Sequence, residues 1–308
     1  MGLGGNLMWI PIFRELVKNM KQHDLKVIPI ELGKISQSPV FINCPYITFN
    51  LNYNPSIMVD ISYNLPHNYV IKQHPDKDLY IEDLHIVQHR AKYFKLNPNL
   101  DIRGELFFTR AEKYKIDQCL MIIYRKIYGS MESVGEALTD KKIKELVIIE
   151  PNSKNNYTAN KQYPIDKWQK ITDMLMENPR FKQKYILVQI SKSGLWRLDG
   201  LEINLEKLGF NLNYREAALL IKFSKLFIGM EGGLVHAASA HGVDTQAISI
   251  VPPIFNEKIV NYPNNINIWL ATETHRNCGM RSVCQECQKI YREHDHTEIY
   301  RQIIDCLF

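Results

Sequence analysis

The stretch Leu226-Phe-Ile-Gly-Met-Glu-Gly-Gly-Leu-Val-His-Ala-Ala-Ser-Ala-His-Gly242 decides how the rest of the chain is read. Its apolar start, Leu226–Ile228, reads as a very short buried strand. A glycine turn follows, and a helix of small residues is expected over Leu234–Ala240, ending near Gly242. Gly232 and Gly233 let the backbone approach a ligand closely. The helix start offers unpaired N–H groups and a positive dipole end to an anion, and a nucleotide pyrophosphate is the natural occupant. On spacing alone, a plain strand–turn–helix is an equal alternative, with Glu231 as an N-terminal cap and His236 as a packed helix residue.

Outward from this stretch the same alternation recurs. Upstream, Leu146–Glu150 and Lys184–Ile190 read as strands, and Pro164–Met176 and Tyr214–Phe223 as helices; downstream, Gln246–Val251 reads as the next strand. A first series has helices at Ile12–Met20, Ile81–Phe94 and Glu112–Ile127. Its strand candidates are Leu25–Ile30, Val40–Ile42, Tyr46–Phe49 and Ser56–Ile61. The polar stretch Tyr128–Glu145 reads as the connection between the two series. The segment Pro252–His294 reads as irregular, and Thr297–Leu307 as a terminal helix. The expected fold class is α/β, with two Rossmann-like doubly wound domains facing a central cleft, near 1–140 and 141–308. Ligands bind outside the carboxyl ends of such strands.

Composition narrows the functional classes. At 308 residues the chain is long enough for two cores, and 45% hydrophobic with 23% charged residues is ordinary for a globular protein. No apolar run is long enough for a transmembrane helix, and the start lacks a signal-peptide pattern, so a cytoplasmic location is the default expectation. A net charge of +5 suits anionic ligands or a membrane surface but is too weak to argue for nucleic acid, and no nucleic-acid-binding signature is present. Of the six cysteines, Cys278, Cys284 and Cys287 cluster, with His275, His294 and His296 nearby. Free structural thiols are expected here ahead of a metal. The alternative is a structural zinc at Cys278, Cys284 and Cys287, completed by one histidine.

The glycine stretch resembles the donor-site motif of the ADP-heptose:lipopolysaccharide heptosyltransferases, glycosyltransferase family 9, whose pattern is Gly-x-Asp-Ser/Thr-Gly-x-x-His-x-x-Ala. The matching positions are Gly229, Glu231, Gly232, Gly233, His236 and Ser239, the last falling one before Ala240. Glu replaces the family's Asp, and Gly232 replaces its hydroxyl residue. Val147–Trp168 resembles the family's strand, loop and Lys-x-Trp-Pro-x-x-x-Trp segment, and puts Lys161 on the lysine that contacts the donor's phosphates. The resemblance therefore implies a donor site of Lys161, Gly229, Glu231, Gly232, Gly233, Leu234 and His236. A third match runs through Gly4, Leu7, Pro11, Arg14 and Leu16, and implies an acceptor-side loop at Gly4, Gly5 and Asn6. The family's general base falls on Gly5, which cannot accept a proton.

These matches imply a GT-B-like glycosyltransferase. It would move a sugar from a nucleotide-diphosphate donor to a saccharide or glycolipid hydroxyl, with inversion, in cell-surface polysaccharide or lipopolysaccharide assembly. No cofactor is required on this reading: Lys161 and the helix N-terminus neutralise the pyrophosphate, and weak peripheral association at the inner membrane face follows from the acceptor. Asp60, at the end of a strand candidate, is the candidate base, with a turn-capping role as its alternative. Two further readings stay open: a non-catalytic nucleotide-sugar-binding protein, and a nucleotide-sugar epimerase-like enzyme.

Overall fold

The computed structural model describes residues 2–20, 24–62, 84–152, 159–190, 195–253, 261–275 and 283–308. The chain opens with helices α1 (Leu3–Leu7) and α2 (Ile10–Asn19), then strands β1 (Lys26–Glu31), β2 (Lys34–Ile35) and β3 (Ser56–Asp60). Helices α3 (Ile86–Tyr93), α4 (Arg110–Tyr128) and α5 (Met131–Thr139) lead to β4 (Glu145–Glu150). There follow α6 (Ile165–Glu177), α7 (Pro179–Lys184), β5 (Tyr185–Gln189), β6 (Ile203–Asn204), α8 (Tyr214–Lys222), β7 (Ser224–Met230) and α9 (Gly233–Ala238). Strands β8 (Gln246–Val251) and β9 (Asn265–Trp269) and helices α10 (Gln285–Glu293) and α11 (His296–Leu307) complete it.

The larger sheet has the order β6-β5-β4-β7-β8-β9, and each neighbouring pair is parallel. Its central strands are apolar almost throughout, as expected where helices cover both faces of a parallel sheet. The chain winds outward from β4 to β6, then returns to the other side of β4 for β7 to β9. The topological switch point therefore lies between the carboxyl ends of β4 and β7, where Glu150 stands opposite Gly229. The smaller sheet, among the described residues, has the order β2-β1-β3. Strand β1 pairs with β3 in parallel, from Lys26 opposite Ser56 to Ile30 opposite Asp60, and with β2 through a hairpin. Leu32 and Gly33 turn that hairpin at φ +52° and +75°, the positive pair that a two-residue turn of this hand requires.

Two helix starts show how local sequence also ties the halves together. Thr109 and Glu112 form a reciprocal cap on α4, and Asn213 and Glu216 do the same on α8. Each capping glutamate also reaches the other helix: Glu112 Oε1 accepts from Arg215 Nε at 2.5 Å, and Glu216 Oε2 from Lys115 Nζ at 2.7 Å. Arg215 is buried, and its guanidinium also donates to the Pro39 carbonyl at 3.2 Å. One continuous hydrophobic cluster runs from Leu7 and Phe13 through β4 and β7 to Leu307.

Several expectations change. Residues Gly4, Gly5 and Asn6 lie in α1, not in a loop. Val40–Ile42 is not a strand, because Pro39 starts a short 3-10 turn over Pro39–Phe41. Tyr46–Phe49 contributes only one bridge, Ile47 to Val27. The connection Tyr128–Glu145 contains α5, capped by Ser130, whose buried residue is Val134, so its apolar period is hard to detect. Within Pro252–His294, β9 and α10 are regular. Residues 81–83 of the expected helix Ile81–Phe94 lie outside the described residues, and α3 begins at Ile86 because His85 caps it. No helix among the described residues is long and apolar enough to cross a membrane.

Candidate functional site

Two loops meet at the switch point. One follows β4 and ends in the 3-10 turn Ala159–Lys161; the other is the turn Glu231–Gly233 between β7 and α9. Their side chains meet: Lys161 Nζ donates to Glu231 Oε2, and its ammonium lies 3.5 Å from the Glu231 carbonyl. His236, one turn into α9, brings Nε2 to 3.3 Å from Glu231 Oε1, and its Nδ1 lies 2.9 Å from the Tyr262 hydroxyl. One protonation pattern satisfies every group. The Tyr262 O–H donates to Nδ1, the Nε2–H donates to the Glu231 carboxylate, and Lys161 balances the charge.

Glu231 and His236 are 4% and 3% exposed. Burial pushes the Glu231 carboxyl up, but the Lys161 ammonium, then His236, outweigh it and hold the carboxyl well below its usual range, at about 2. Burial raises the Tyr262 phenol, so it stays protonated as a donor.

The glycines of the motif divide by what they do. A Cβ on Gly229 would stand 2.9 Å from the Phe227 ring and 3.3 Å from the Glu150 carbonyl, so this glycine serves strand packing. Gly232 is extended at φ 167°, and a Cβ there would meet only the Met230 carbonyl at 3.7 Å. Neither its conformation nor its protein surroundings require glycine. Gly233 is tighter: a Cβ would lie 3.2 Å from the Tyr214 ring and 3.6 Å from the Gly4 amide nitrogen. A Cβ on Gly4 would lie only 2.3 Å from His236 Cδ2. Gly4 and Gly233 thus allow α1 to pack backbone to backbone on the start of α9. Leu234 is half-buried against the core. Helix α9 has six residues and ends two residues earlier than expected, at Ala238.

Asp60 is not brought to this group. It is exposed at the end of β3, and Oδ1 accepts from the Ser62 amide at 2.8 Å, which is the turn-capping role. Arg14, from the third match, is buried and donates to Glu105 and to the Asp101 carbonyl, both at 2.6 Å. It ties α2 to the segment before α4.

A second cluster lies beside Lys161. His275 Nε2 is 3.2 Å from Cys287 Sγ and 3.5 Å from Cys284 Sγ, and the three ligand atoms lie within 4.8 Å of one another. A tetrahedral ion holding sulfur at about 2.3 Å and nitrogen at about 2.0 Å separates such ligands by roughly 3.5–3.8 Å, so the donor set fits a thiophilic metal. Cys278 lies outside the described residues. His294 belongs elsewhere, with its Nδ1 at 2.9 Å from the Tyr163 hydroxyl. The cluster is docked on the Lys161 turn. The Cys284 amide donates to Asn160 Oδ1 at 2.8 Å, and the Tyr291 hydroxyl donates to the Asn160 carbonyl. Sequence reasoning named the cysteines but missed Asn160 and Tyr262. An isolated Asn and a Tyr in an irregular stretch carry no pattern that would select them.

The fold is similar to that of the iron-containing dodecameric glycosyltransferase TibC from enterotoxigenic E. coli H10407. The TM-score is 0.57 at 12% identity, over 99% of this chain and 73% of that chain. The glycosyl transferase family 9 protein from Veillonella parvula DSM 2008 gives a TM-score of 0.49 at 12% identity, over 89% of this chain and 84% of that chain. No family model matches the chain, and no curated protein matches it. The GT-B-like α/β plan expected from the sequence is thus the plan of the fold.

Proposed function

We propose that the chain is a glycosyltransferase that moves a sugar from a nucleotide-diphosphate donor to a saccharide or glycolipid hydroxyl with inversion. Residues 141–308 form its donor half and residues 1–140 its acceptor half. The observation that carries the reading is the meeting of Lys161 with the Glu231–Gly233 turn at the switch point of a parallel sheet, where such sheets take ligands.

On this reading Glu231 aims the Lys161 ammonium at the edge of the cleft. An arriving diphosphate competes with the carboxylate for that ammonium and meets the backbone of Gly232, Gly233 and Leu234. As the bond to the sugar breaks, negative charge grows on the leaving phosphate, and the lysine stabilises it. His236 has both ring nitrogens engaged inside the protein, so it positions Glu231 and does not move a proton. His275, Cys284 and Cys287, with Cys278 as the candidate fourth ligand, would hold a metal that cross-links the segment docked on Asn160, the neighbour of Lys161. The place in cell-surface polysaccharide or lipopolysaccharide assembly, at the inner membrane face, rests on the sequence resemblance.

A non-catalytic nucleotide-sugar-binding protein is the second reading, favoured by Gly5 at the position of the family's base and by the turn-capping Asp60. Incubation with a panel of nucleotide sugars and methyl glycosides, followed by proton NMR, separates the two. Release of nucleoside diphosphate with a product of inverted anomeric configuration supports transfer. Saturable nucleotide binding without turnover supports the binder.

A further inference from the structure

We propose that Asn160 is a positioning residue that couples the cluster of His275, Cys284 and Cys287 to Lys161, so that metal held there raises the affinity of the donor site for a nucleoside diphosphate. This rests on the glycosyl-transfer reading above and names how that same site is regulated.

Asn160 is fully buried, in the 3-10 turn Ala159–Lys161. Helix α10 grips it at both its side chain and its backbone. The Cys284 amide donates to its Oδ1 at 2.8 Å, and the Tyr291 hydroxyl donates to its carbonyl. That carbonyl belongs to the peptide plane that carries the Lys161 N–H, because each plane runs from one Cα to the next. Helix α10 therefore fixes the plane from which the Lys161 side chain departs. At the far end of that side chain the ammonium meets Glu231, at the start of the donor turn.

The groups that grip Asn160 belong to the cluster or stand in line with it. Cys284 caps α10 without using its side chain for the cap. Its Sγ lies 3.5 Å from His275 Nε2 while its amide serves Asn160, so one residue touches both the cluster and the turn. Cys287 and Tyr291 are four apart on α10, hence on one face, and both are fully buried. His275 comes from the segment after β9, so metal ligation would tie the first turn of α10 to a second part of the chain.

The sign of the coupling follows from how tightly each kind of contact fixes a position. Metal–ligand distances hold to within about 0.2 Å, whereas hydrogen bonds spread over about 0.5 Å. With α10 held by ligation, its two hydrogen bonds to Asn160 hold the Lys161 peptide in one orientation, and the ammonium is already in place for an arriving diphosphate. With the thiols unligated, α10 has more freedom, and binding must order the lysine as well.

The test uses the full chain, stripped with a chelator under reducing conditions and reloaded with Co2+, whose absorption at thiolate sites reports its binding. Adenosine, uridine and guanosine diphosphates are the probes. At least one is expected to bind the loaded chain about tenfold more tightly than the stripped chain, and by reciprocity to raise Co2+ affinity by the same factor. Loaded Asn160→Ala is expected to keep Co2+ affinity within about threefold and to bind nucleotide as weakly as the stripped wild type. Tyr291→Phe removes only a hydroxyl and is expected to lose part of the coupling should Asn160→Ala fail to fold. A merely structural ion would leave the folded, loaded variants at wild-type nucleotide affinity, and that result overturns the role of Asn160. Should the stripped chain unfold, the loaded variants decide alone. Equal nucleotide affinity of folded loaded and stripped chains, or no Co2+ bound, overturns the coupling and leaves the proposed function standing. No nucleotide bound by the loaded chain overturns the proposed function and the coupling with it.

Discussion

The carboxyl ends of the two sheets treat their polar groups in opposite ways. At the larger sheet, Lys161, Glu231, His236 and Tyr262 form a chain in which each buried donor meets an acceptor. At the smaller sheet, Asn6 Oδ1 and Ser38 Oγ are buried with no hydrogen-bond partner. A satisfied network in low dielectric is rigid and aims whatever stands at its end. An unsatisfied set instead carries a desolvation cost that its surroundings must offset. The two ends meet on α1, which packs on the donor turn through Gly4 and carries Asn6.

If the larger end is a closed network, breaking it has the largest effect. Lys161→Met leaves the buried Glu231 carboxylate without its ammonium, held by His236 alone, and is expected to destabilise the protein by about 3 kcal/mol in denaturant unfolding. Lys161→Met combined with Glu231→Gln removes both charges and is expected to recover most of that loss. Additive effects in this cycle would show that the two groups are not coupled.

Gly4→Ala comes next. Its Cβ would overlap the His236 ring at 2.3 Å, so α1 must move away from α9, at an expected loss of about 1–3 kcal/mol. Gly232→Ala, by contrast, has room for its Cβ at ordinary contact distance and is expected to change stability by less than about 0.5 kcal/mol. Equal effects at these two positions would refute the account of α1 and α9 packing.

The acid limb separates the ends again. The Glu231 carboxyl is held below its usual 4.5, at about 2, so its contribution to stability is full above about pH 4.5 and is lost as pH falls towards 2. Unfolding followed between pH 5 and 2 is expected to be shallower for Glu231→Gln than for wild type. Parallel curves would show that the pair does not hold the carboxyl down.

The smallest expected effect on stability concerns the cluster beside Lys161. His275, Cys284 and Cys287 are expected to retain about one equivalent of zinc or iron per chain after purification, measured by elemental analysis. Cys287→Ser is expected to lose it. Retention of full metal content by that variant would place the ion elsewhere.

The larger sheet was legible because its strands are continuous apolar runs separated by amphipathic helices. Leu146–Glu150, Tyr185–Gln189 and Gln246–Val251 each carry the signal of strands buried on both faces. The smaller sheet was less legible. Its two-residue strand β2 is too short to show a period, and β3 has one buried residue, Val59. The motif Gly229–His236 was found, but the work of its residues was not. Gly229 and Gly4 are glycines for packing reasons that depend on Phe227 and His236 in space, which no spacing rule states. Asn6 was placed on the acceptor side, yet the signal that matters, an amide oxygen with no partner, exists only in three dimensions.

The central claim is that a nucleotide diphosphate docks at the switch point of the larger sheet, on Lys161. Calorimetric titration with uridine, adenosine and guanosine diphosphates and their sugars tests it most directly. The partner sample is Lys161→Met combined with Glu231→Gln, which lacks the lysine while leaving no buried charge unpaired. Saturable binding of one nucleotide to wild type, at least tenfold weaker in that folded double variant, is the predicted result. Binding of equal strength by both proteins, or binding of no nucleotide by wild type, would contradict it.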